Sequence, residues 1–403
     1  MKILYSVQRY GNNIVGGSET ACRLFAENLV LRGHEVDVLT SCAISYEDWA
    51  DHFEPGIEEV HGVRVIRLPV EHIRDTAHFS QLHEAILKDV KNATFAAQQE
   101  WIQAMGPVLD GQTKWLSENA ADYDVVVFMT YLYATTALGL PATVGLAPVI
   151  LQPTAHDESP AYLSIYRTLF NMPDAFLFLT EEEQQLVRRL YNIEPVGEVL
   201  GIGMSLEQPK ATGDSFRNKY NLGDDPYLLY VGRIDVFKGV SELFRYFVEY
   251  KGHRPSNMKL ILAGEQVMDL PVHEDVMYVG FLDDEMKQSA IAGSVALVQS
   301  SPFESFSIVL CEAWLQERPV LVQGWSEVMT GQVRRSEGGL PYNGFAEFES
   351  CLHLLHTNPE LGNELGRNGK KYVERMYAWD SVLDRFEETI EIAQKNFTAK
   401  IRR

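Results

Sequence analysis

Short apolar runs alternate with longer amphipathic stretches along most of the chain. In the first half, the spacing of apolar residues predicts helices over 18–32, 80–118 and a short segment near 132–140. The apolar runs predict strands at 3–7, 35–40, 63–68, 125–129, 147–152, 175–180 and 196–200. Strands and helices that alternate in this way indicate a parallel sheet with helices on both faces.

The pattern stops at 201–213, a stretch with three glycines and Pro209 that we interpret as a linker. It then restarts, with helices predicted at 240–250, 283–292, 307–316 and across 344–398. Further strands are predicted at 227–231, 259–263, 276–279, 295–299 and 319–322. The predicted fold is α/β, with two doubly wound, Rossmann-like parallel-sheet domains that face each other across a cleft. Ligands of such sheets bind at the carboxyl ends of the strands.

One segment is long and apolar enough to suggest a membrane span, because residues 125–155 contain no charged side chain. Three prolines and two glycines interrupt it, and prolines break a continuous helix. We therefore interpret the segment as strand, short helix and strand, and predict no integral membrane segment.

Charge and cysteine content exclude some classes of protein. The 403 residues include 35 Lys+Arg and 56 Asp+Glu, a net charge of −21, whereas nucleic-acid binding needs basic residues to replace phosphate counterions. The four cysteines are scattered, which argues against a disulfide scaffold or a zinc site and favours a reducing compartment. The first residues lack the apolar core of a signal peptide. These features predict a cytoplasmic protein that does not bind nucleic acid.

Gly16 and Gly17 lie between the first predicted strand and the first predicted helix. Glycines at this place let backbone N–H groups approach an anion at the start of the helix. The alternative is a flexible turn in which Ser18 caps the helix and no ligand binds. The segment is not a G-x-G-x-x-G, so a dinucleotide cofactor is not favoured.

The segment VGRIDVFKGV at 231–240 follows a predicted strand and places Arg233 and Lys238 just before a helix. Two cations and a helix N-terminus suit a pyrophosphate, whose charge needs compensation. Most Arg/Lys pairs are simply solvated, and that is the alternative here.

The segment SPFESFSIVLCEAW at 301–314 places Glu304 in a loop after a strand and Glu312 inside the following helix. The backbone N–H groups of Phe306, Ser307 and Ile308 should point out of the start of that helix. A carboxylate there is also favoured by the helix dipole alone. Glu312 has apolar neighbours in the sequence and therefore needs a partner.

His156, in the segment PTAHDE at 153–158, follows a strand of the first domain. It is placed to donate a hydrogen bond to a sugar or phosphate oxygen across the predicted cleft. A lone histidine is more often structural, and that interpretation stays open.

Together these residues resemble the retaining glycosyltransferases of the GT-B fold, in glycosyltransferase family four. The family pattern, strand-GR-x4-KG followed by E-x7-E, is matched by Gly232-Arg233, Lys238-Gly239 and Glu304/Glu312. The helix that contains Trp379 resembles the family's last helix, which crosses back to the first domain. The resemblance implies an N-terminal acceptor domain over 1–205, completed by helix 379–398, and a C-terminal donor domain over 206–378.

The resemblance also implies roles. Arg233 and Lys238 are expected to bind the donor diphosphate, Glu304 the hydroxyls of the donor sugar, and Glu312 the ribose hydroxyls. The amides of 306–308 are expected to contact sugar and phosphate. His156 is expected to approach the transferred sugar, and Gly16 and Gly17 to bring backbone close to donor or acceptor. The base is expected to lie against Val279–Leu282, which includes Gly280, Phe281 and Leu282.

The chain departs from the family at one segment. In place of the glycine-rich G-G-x-x-E after strand 319–322 it has QGWSEVMTGQ. It also has no D-x-D in a predicted cleft loop. Because Arg, Lys and a helix dipole are able to stabilise a departing diphosphate, we expect neither a metal ion nor another cofactor.

The function predicted from the sequence is transfer of a hexose from a nucleotide sugar to a saccharide or lipid-linked saccharide, in polysaccharide or glycoconjugate synthesis. From the resemblance we favour a UDP-hexose such as UDP-glucose, and a route in which the leaving phosphate takes the acceptor proton. A sugar-nucleotide epimerase of the same fold and a non-catalytic nucleotide-sugar-binding protein are the alternatives. Peripheral contact with a membrane stays open.

Overall fold

The computed structural model describes residues 1–14, 16–207 and 211–402, and the chain divides into two compact units. The first domain comprises Met1–Gly203 and Trp379–Arg403, and the second comprises Met204–Ala378. The predicted boundary after residue 205 lies two residues beyond this division, and the predicted return at 379 coincides with it. Of the predicted linker, Pro209 and its neighbours at 208 and 210 lie outside the described residues.

The elements of the first domain alternate along the chain. Its strands are β1 (Lys2–Ser6), β2 (Glu35–Ser41), β3 (Gly56–Val60), β4 (Val63–Leu68), β5 (Val125–Met129), β6 (Val149–Gln152), β7 (Ala175–Phe178) and β8 (Gly197–Val199). Its helices before the second domain are α1 (Gly17–Leu31), α2 (Thr76–Lys88), α3 (Phe95–Met105), α4 (Gln112–Asn119), α5 (Ala134–Thr143), α6 (Ser164–Leu169) and α7 (Glu181–Tyr191).

These strands form one sheet in the order β3-β4-β2-β1-β5-β6-β7-β8. All neighbouring pairs are parallel except β3 and β4. Strands β5, β6 and β7 are buried at every position, as expected for parallel strands covered on both faces. The chain order reverses between β1 and β5.

The second domain repeats this architecture. Its strands are β9 (Tyr227–Val231), β10 (Lys259–Ala263), β11 (Val276–Gly280), β12 (Ala296–Gln299), β13 (Val320–Gln323) and β14 (Gly339–Tyr342). Its helices are α8 (Asp214–Lys219), α9 (Val240–His253), α10 (Asp284–Gly293), α11 (Ile308–Leu315), α12 (Glu327–Ser336), α13 (Phe345–Thr357) and α14 (Pro359–Met376). The sheet is parallel in the order β11-β10-β9-β12-β13-β14, and its chain order reverses between β9 and β12.

The last helix, α15 (Trp379–Ile401), belongs to the first domain. It buries Val382, Phe386 and Ile390, and the ring of Phe386 stacks on Phe25 with centroids 5.8 Å apart. A Cβ on Gly203 would lie 2.2 Å from the Trp379 ring. A glycine is therefore needed where the chain leaves the first domain.

Two expectations about the first domain were wrong. The helical stretch predicted over 80–118 is three helices. The first break lies between Lys88 and Phe95, where Thr94 caps the start of α3, and the second lies between Gly106 (φ 65°), which ends α3, and Gly111 (φ 72°), which precedes α4. Strand β3 was missed. It is an exposed edge strand, so no buried face requires apolar and polar residues to alternate along it.

Parts of the second domain were also missed. Helix α12 and strand β14 occupy 327–342, where no element was predicted. The predicted helices over 344–398 are confirmed as α13, α14 and most of α15.

The uncharged segment 125–155 forms β5, α5 and β6, as predicted. Among the helices that the structure describes, none combines the length and apolarity needed to cross a bilayer.

Candidate active site

In the second domain, the loops that follow β9 and β12 lie side by side. The two strands pair in parallel, with Tyr230 opposite Val298, so their carboxyl ends lie at the same edge of the sheet. Beyond this pairing, Gln299 Nε2 donates a hydrogen bond of 2.7 Å to the carbonyl of Val231. Doubly wound sheets bind ligands at the place where chain order reverses, and these two loops occupy that place.

Arg233 lies in the loop after β9, where an acidic residue orients it. Its Nη2 is 3.0 Å from Oδ2 of Asp235, and its backbone carbonyl accepts a hydrogen bond from the Tyr230 hydroxyl at 2.8 Å. Asp235 also accepts a hydrogen bond of 2.7 Å from the N–H of Phe237. It therefore fixes both the guanidinium and the loop. The sequence analysis missed Asp235, although it lies between the two predicted cations.

Gly239 brings the two loops into contact. It has a left-handed backbone (φ 71°), and a Cβ there would lie 2.2 Å from the carbonyl oxygen of Ser300. The Ser300 hydroxyl in turn donates a hydrogen bond of 2.8 Å to the carbonyl of Lys238. The glycine of the K-G pair is thus required by both its conformation and the close approach of the second loop.

Lys238 and Glu304 meet directly. The ammonium of Lys238 is 2.7 Å from Oε1 of Glu304, with side chains 33% and 16% exposed. The sequence predicted both residues for the donor site but did not predict a contact between them. An ammonium has three donors, so Lys238 is able to contact Glu304 and still donate to a further acceptor at the loop.

The start of α11 differs slightly from the prediction. The helix begins at Ile308, and Ser307 precedes it with a left-handed backbone (φ 67°, ψ 78°). Phe306 is buried, and its carbonyl accepts a hydrogen bond from the Gln332 side chain. The first N–H groups of an α-helix have no carbonyl partner within the helix, so the first turn of α11 presents donors at this edge.

Glu312 has the partner that its apolar surroundings require. Lys287 Nζ, on α10, lies 2.7 Å from its Oε1 and 3.1 Å from Oδ1 of Asp284. Burial raises the pKa of Glu312, and Lys287 opposes this rise. Burial lowers the pKa of Lys287, but the carboxylates of Glu312 and Asp284 together outweigh this effect, so its pKa lies above the usual value. Glu304 and Glu312 therefore have separate lysine partners, and sequence analysis missed Lys287.

The segment predicted to face the base, Val279–Leu282, spans the end of β11 and the two residues after it. Gly280 has a left-handed backbone (φ 74°), and its carbonyl accepts a hydrogen bond of 2.9 Å from the N–H of Gly264. Phe281 is 74% exposed and Leu282 is buried. The segment thus presents an aromatic ring to solvent at the carboxyl end of the sheet.

In the first domain, the helix that follows Gly16 and Gly17 begins beside a carboxylate of the same chain. Gly16 is the N-cap of α1, so the expectation that Ser18 caps this helix was wrong. A Cβ on Gly16 would lie 2.2 Å from Oε2 of Glu19. Oε1 of this buried glutamate is 2.6 Å from Nη2 of buried Arg9. Gly16 is therefore required where the Glu19 carboxylate approaches the helix start.

His156 lies in the loop after β6, beside an acidic residue. Its Nδ1 is 3.5 Å from Oε1 of Glu158, and the Tyr131 hydroxyl donates to the same oxygen at 3.2 Å. Glu158 thus links the loops after β5 and β6. It was missed, although it stands only two positions from the predicted histidine.

The first domain also has a cavity of about 200 Å³, lined by the loops after β2 and β4 and by α3. Arg74 packs over the Trp49 ring, 5.0 Å from its centroid, and donates to the carbonyl of Met105. The side chains of His78 and Glu100 line the cavity, with His78 Nε2 3.6 Å from Glu100 Oε1. No sequence motif indicated this cavity.

Two families match the chain, one for each domain. Residues 16–201 match the glycosyl transferase 4-like domain, and residues 213–372 match the glycosyl transferases group 1 family. An uncharacterized glycosyltransferase of Methanocaldococcus jannaschii is 24% identical over 97% of both chains. The lipopolysaccharide 1,2-N-acetylglucosaminetransferase of Salmonella typhimurium is 25% identical, over 44% of this chain and 51% of its own.

Solved structures share the fold over nearly the whole chain. Anabaena HepE in complex with UDP and glucose has a TM-score of 0.69 at 12% identity, covering 97% of this chain and 99% of its own. The sucrose-phosphate synthase of Thermosynechococcus elongatus has a TM-score of 0.70 at 18% identity, covering 99% of both chains. The family matches and the fold together show that the chain belongs to the GT-B glycosyltransferases of the group 1 type, which transfer a sugar from a nucleotide sugar.

Proposed function

We propose that the protein transfers a hexose from a UDP-hexose, such as UDP-glucose, to a hydroxyl of a saccharide or lipid-linked saccharide, with retention of anomeric configuration, in polysaccharide or glycoconjugate synthesis. The contact of 2.7 Å between Lys238 and Glu304 carries the proposal. It places a cation for a diphosphate and a carboxylate for sugar hydroxyls at one point, where the chain order of the second sheet reverses.

In this proposal Arg233 and Lys238 bind the diphosphate. The ion pair with Asp235 keeps the Arg233 guanidinium at the loop. The ion pair with Glu304 keeps the Lys238 ammonium there. Negative charge grows on the β-phosphate as the bond to the sugar breaks, and fixed cations stabilise that charge most strongly in the transition state. The first-turn amides of α11 add to this stabilisation.

The two glutamates serve different parts of the donor. Glu304 accepts hydrogen bonds from hydroxyls of the transferred sugar, and Glu312 accepts them from the ribose. Their different lysine partners support this division. The base lies along 280–282, where the exposed ring of Phe281 offers a face for stacking.

The chemical step needs no carboxylate nucleophile. The bond between the anomeric carbon and the phosphate oxygen breaks, the acceptor oxygen bonds to that carbon from the same face, and the acceptor proton passes to the leaving phosphate. UDP and the glycosylated acceptor are the products. His156 donates a hydrogen bond to the transferred sugar.

UDP is the nucleotide that the solved relatives favour. Anabaena HepE was solved with UDP and with UDP-glucose, and a TarM variant of Staphylococcus aureus was solved with UDP. The acceptor binds in the first domain, and the cavity beside Trp49 lies at the carboxyl edge of its sheet. The cavity combines apolar walls with polar side chains, a combination that suits a sugar ring.

Catalysis in this proposal requires no divalent metal, because two protein cations compensate the diphosphate. Turnover should therefore survive excess EDTA. Loss of turnover in EDTA and its return with magnesium or manganese would overturn this part of the proposal.

A donor screen tests the whole proposal. UDP- and GDP-sugars are incubated with a panel of saccharide and lipid-linked acceptors, and ¹H NMR of the product reports the anomeric configuration. An α-linked product from an α-linked UDP-hexose supports the proposal. An inverted product contradicts retention, interconversion of sugar nucleotides without an acceptor indicates an epimerase, and binding without any reaction indicates a non-catalytic protein.

A further inference from the structure

Glu183 is a buried carboxylate that joins two loops of the first domain. It lies in the first turn of α7 and is 1% exposed. Its Oε1 accepts a hydrogen bond of 2.7 Å from the N–H of Ala155, and its Oε2 accepts one of 2.7 Å from the N–H of Leu179. These residues follow the neighbouring strands β6 and β7, so one side chain links two loops at the carboxyl edge of the sheet.

Helix capping explains only part of this arrangement. Thr180 and Glu183 have the T-x-x-E spacing of a capping box, and the Thr180 hydroxyl accepts a hydrogen bond of 3.2 Å from the N–H of Glu183. A capping box stabilises the start of its own helix. The hydrogen bond to Ala155 leaves that helix and reaches a separate loop, 28 positions earlier in the chain.

The loop that receives this hydrogen bond is the loop of His156, and it has an uncommon backbone. Thr154 is left-handed (φ 52°), which is costly for a β-branched residue. Its hydroxyl donates a hydrogen bond of 3.0 Å to Thr130. Ala155 is buried, so its N–H would be left unsatisfied if Glu183 did not accept from it. Glu183 thus stabilises the peptide that directly precedes His156.

We propose that Glu183 is a positioning residue, which fixes the backbone of Thr154 and Ala155 and thereby the place of the His156 imidazole. The inference rests on the proposed function, in which His156 reaches the transferred sugar. Glu183 itself is buried and does not touch substrate. Its influence passes through its hydrogen bonds with the backbone N–H groups of Ala155 and Thr154.

The chain offers a matched control on the same two strands. Asp174 is also buried, and its Oδ2 accepts a hydrogen bond of 2.9 Å from the N–H of Val149, at the amino end of β6. Asp174→Asn and Glu183→Gln therefore both weaken a carboxylate link between β6 and β7. Only Glu183→Gln weakens the link at the carboxyl end of β6, where the loop of His156 begins.

The first readout needs no activity. Protein labelled with ¹³C in histidine shows one imidazole Cε1 resonance for each histidine. The resonance that disappears in His156→Gln is assigned to His156. We expect Glu183→Gln to move this resonance and Asp174→Asn to leave it in place. Should Glu183→Gln fail to fold, Glu183→Asp, which is one methylene too short to reach both N–H groups, is expected to move it instead. An unmoved resonance in the folded variant overturns the inference.

The second readout is kinetic. Glu183→Gln should lower kcat by about 10–100-fold, the size expected for a misplaced group, while the KM for UDP-sugar changes less than about twofold. Asp174→Asn should keep kcat within about twofold of the wild type. An equal loss of kcat in both variants overturns the positioning role. If the wild type transfers no sugar, the proposed function fails, and the resonance of His156 alone decides the inference.

Discussion

Lys238 and Glu304 are 66 positions apart in the chain, yet their charged atoms lie 2.7 Å from each other in the second domain. The contact joins the loop after β9 to the loop after β12. Each residue thus restricts the position of the other. Glu304→Gln keeps a side-chain oxygen that accepts from the Lys238 ammonium, so it tests the handling of the sugar separately from the binding of the diphosphate.

Glu304→Gln should lower the turnover of UDP-sugar by about 10–100-fold, because a charged hydrogen bond to the sugar is lost. Binding of free UDP should stay within about threefold of the wild type. Glu312→Gln is the comparison, and it should weaken UDP and UDP-sugar alike by about 1–3 kcal/mol. Calorimetry with uridine, UDP and UDP-sugar measures these effects. The assignment of the two glutamates is wrong if Glu304→Gln loses free UDP as severely as Glu312→Gln.

Lys287→Met should make UDP binding sensitive to pH. Lys287 lowers the pKa of the buried Glu312 carboxyl, so its removal lets that pKa rise further. Glu312 is then protonated at a higher pH and no longer accepts fully from the ribose. As the pH is lowered, UDP affinity of the variant should fall by up to about tenfold more than that of the wild type, within the range expected for a charged hydrogen bond.

Lys259→Met provides the control for this experiment. Lys259 is 2.7 Å from Asp275 and is exposed to a similar degree as Lys287. Its substitution removes an ion pair of the same length from the same domain, and UDP binding should keep the pH dependence of the wild type. A similar loss of affinity at low pH in both variants would show that Lys287 has no specific role.

Gly239→Ala should destabilise the second domain and abolish binding of UDP. The added Cβ would lie 2.2 Å from the Ser300 carbonyl oxygen, and such overpacking costs about 1–3 kcal/mol beyond about 1 kcal/mol for the left-handed backbone. Gly223→Ala is a matched control, because Gly223 is also left-handed (φ 52°) but has open space around the added Cβ. Denaturant unfolding that shows equal costs for both substitutions would contradict this explanation.

The stability of the first domain should depend on Glu183. Burial raises its pKa from 4.5 to about 8, against the lowering effect of backbone N–H groups. The folded chain therefore binds more protons than the unfolded chain between these values, so the free energy of unfolding should fall as pH rises from about 5 to 8. Urea unfolding across this range should show the slope in Asp174→Asn and a reduced slope in Glu183→Gln. If the slope were the same in Glu183→Gln as in Asp174→Asn, the pH dependence would arise from other titratable groups.

Strands β9 to β13 of the second domain were predictable because each is a short, almost wholly apolar run that ends near a glycine or polar residue. β9 and β10 were placed to the residue, and β11 and β12 within one. Edge strand β3 was not predictable, since its solvent-facing positions are free to be polar. The break between α3 and α4 was visible in the sequence as Gly106 and Gly111 but was not used.

Only those residues of the site that belong to sequence motifs were predictable. The patterns around Arg233, Lys238 and Glu304 identified loops that the structure does bring together. Lys287 was not predicted as a site residue, because it contacts Glu312 from a different helix and belongs to no motif. Long-range contacts of this kind depend on how helices pack, and local spacing carries no signal of them.

The return of the chain to the first domain at Trp379 has a consequence for synthesis. Residues 204–378 form an insertion whose ends adjoin, since Met204 N donates a hydrogen bond of 2.7 Å to the carbonyl of Tyr377. On the ribosome, the inserted domain has all of its residues before α15 emerges, and domains fold as units during synthesis. The domain that begins first is completed last, and until then the surface that receives Phe386 and Ile390 is open to chaperones.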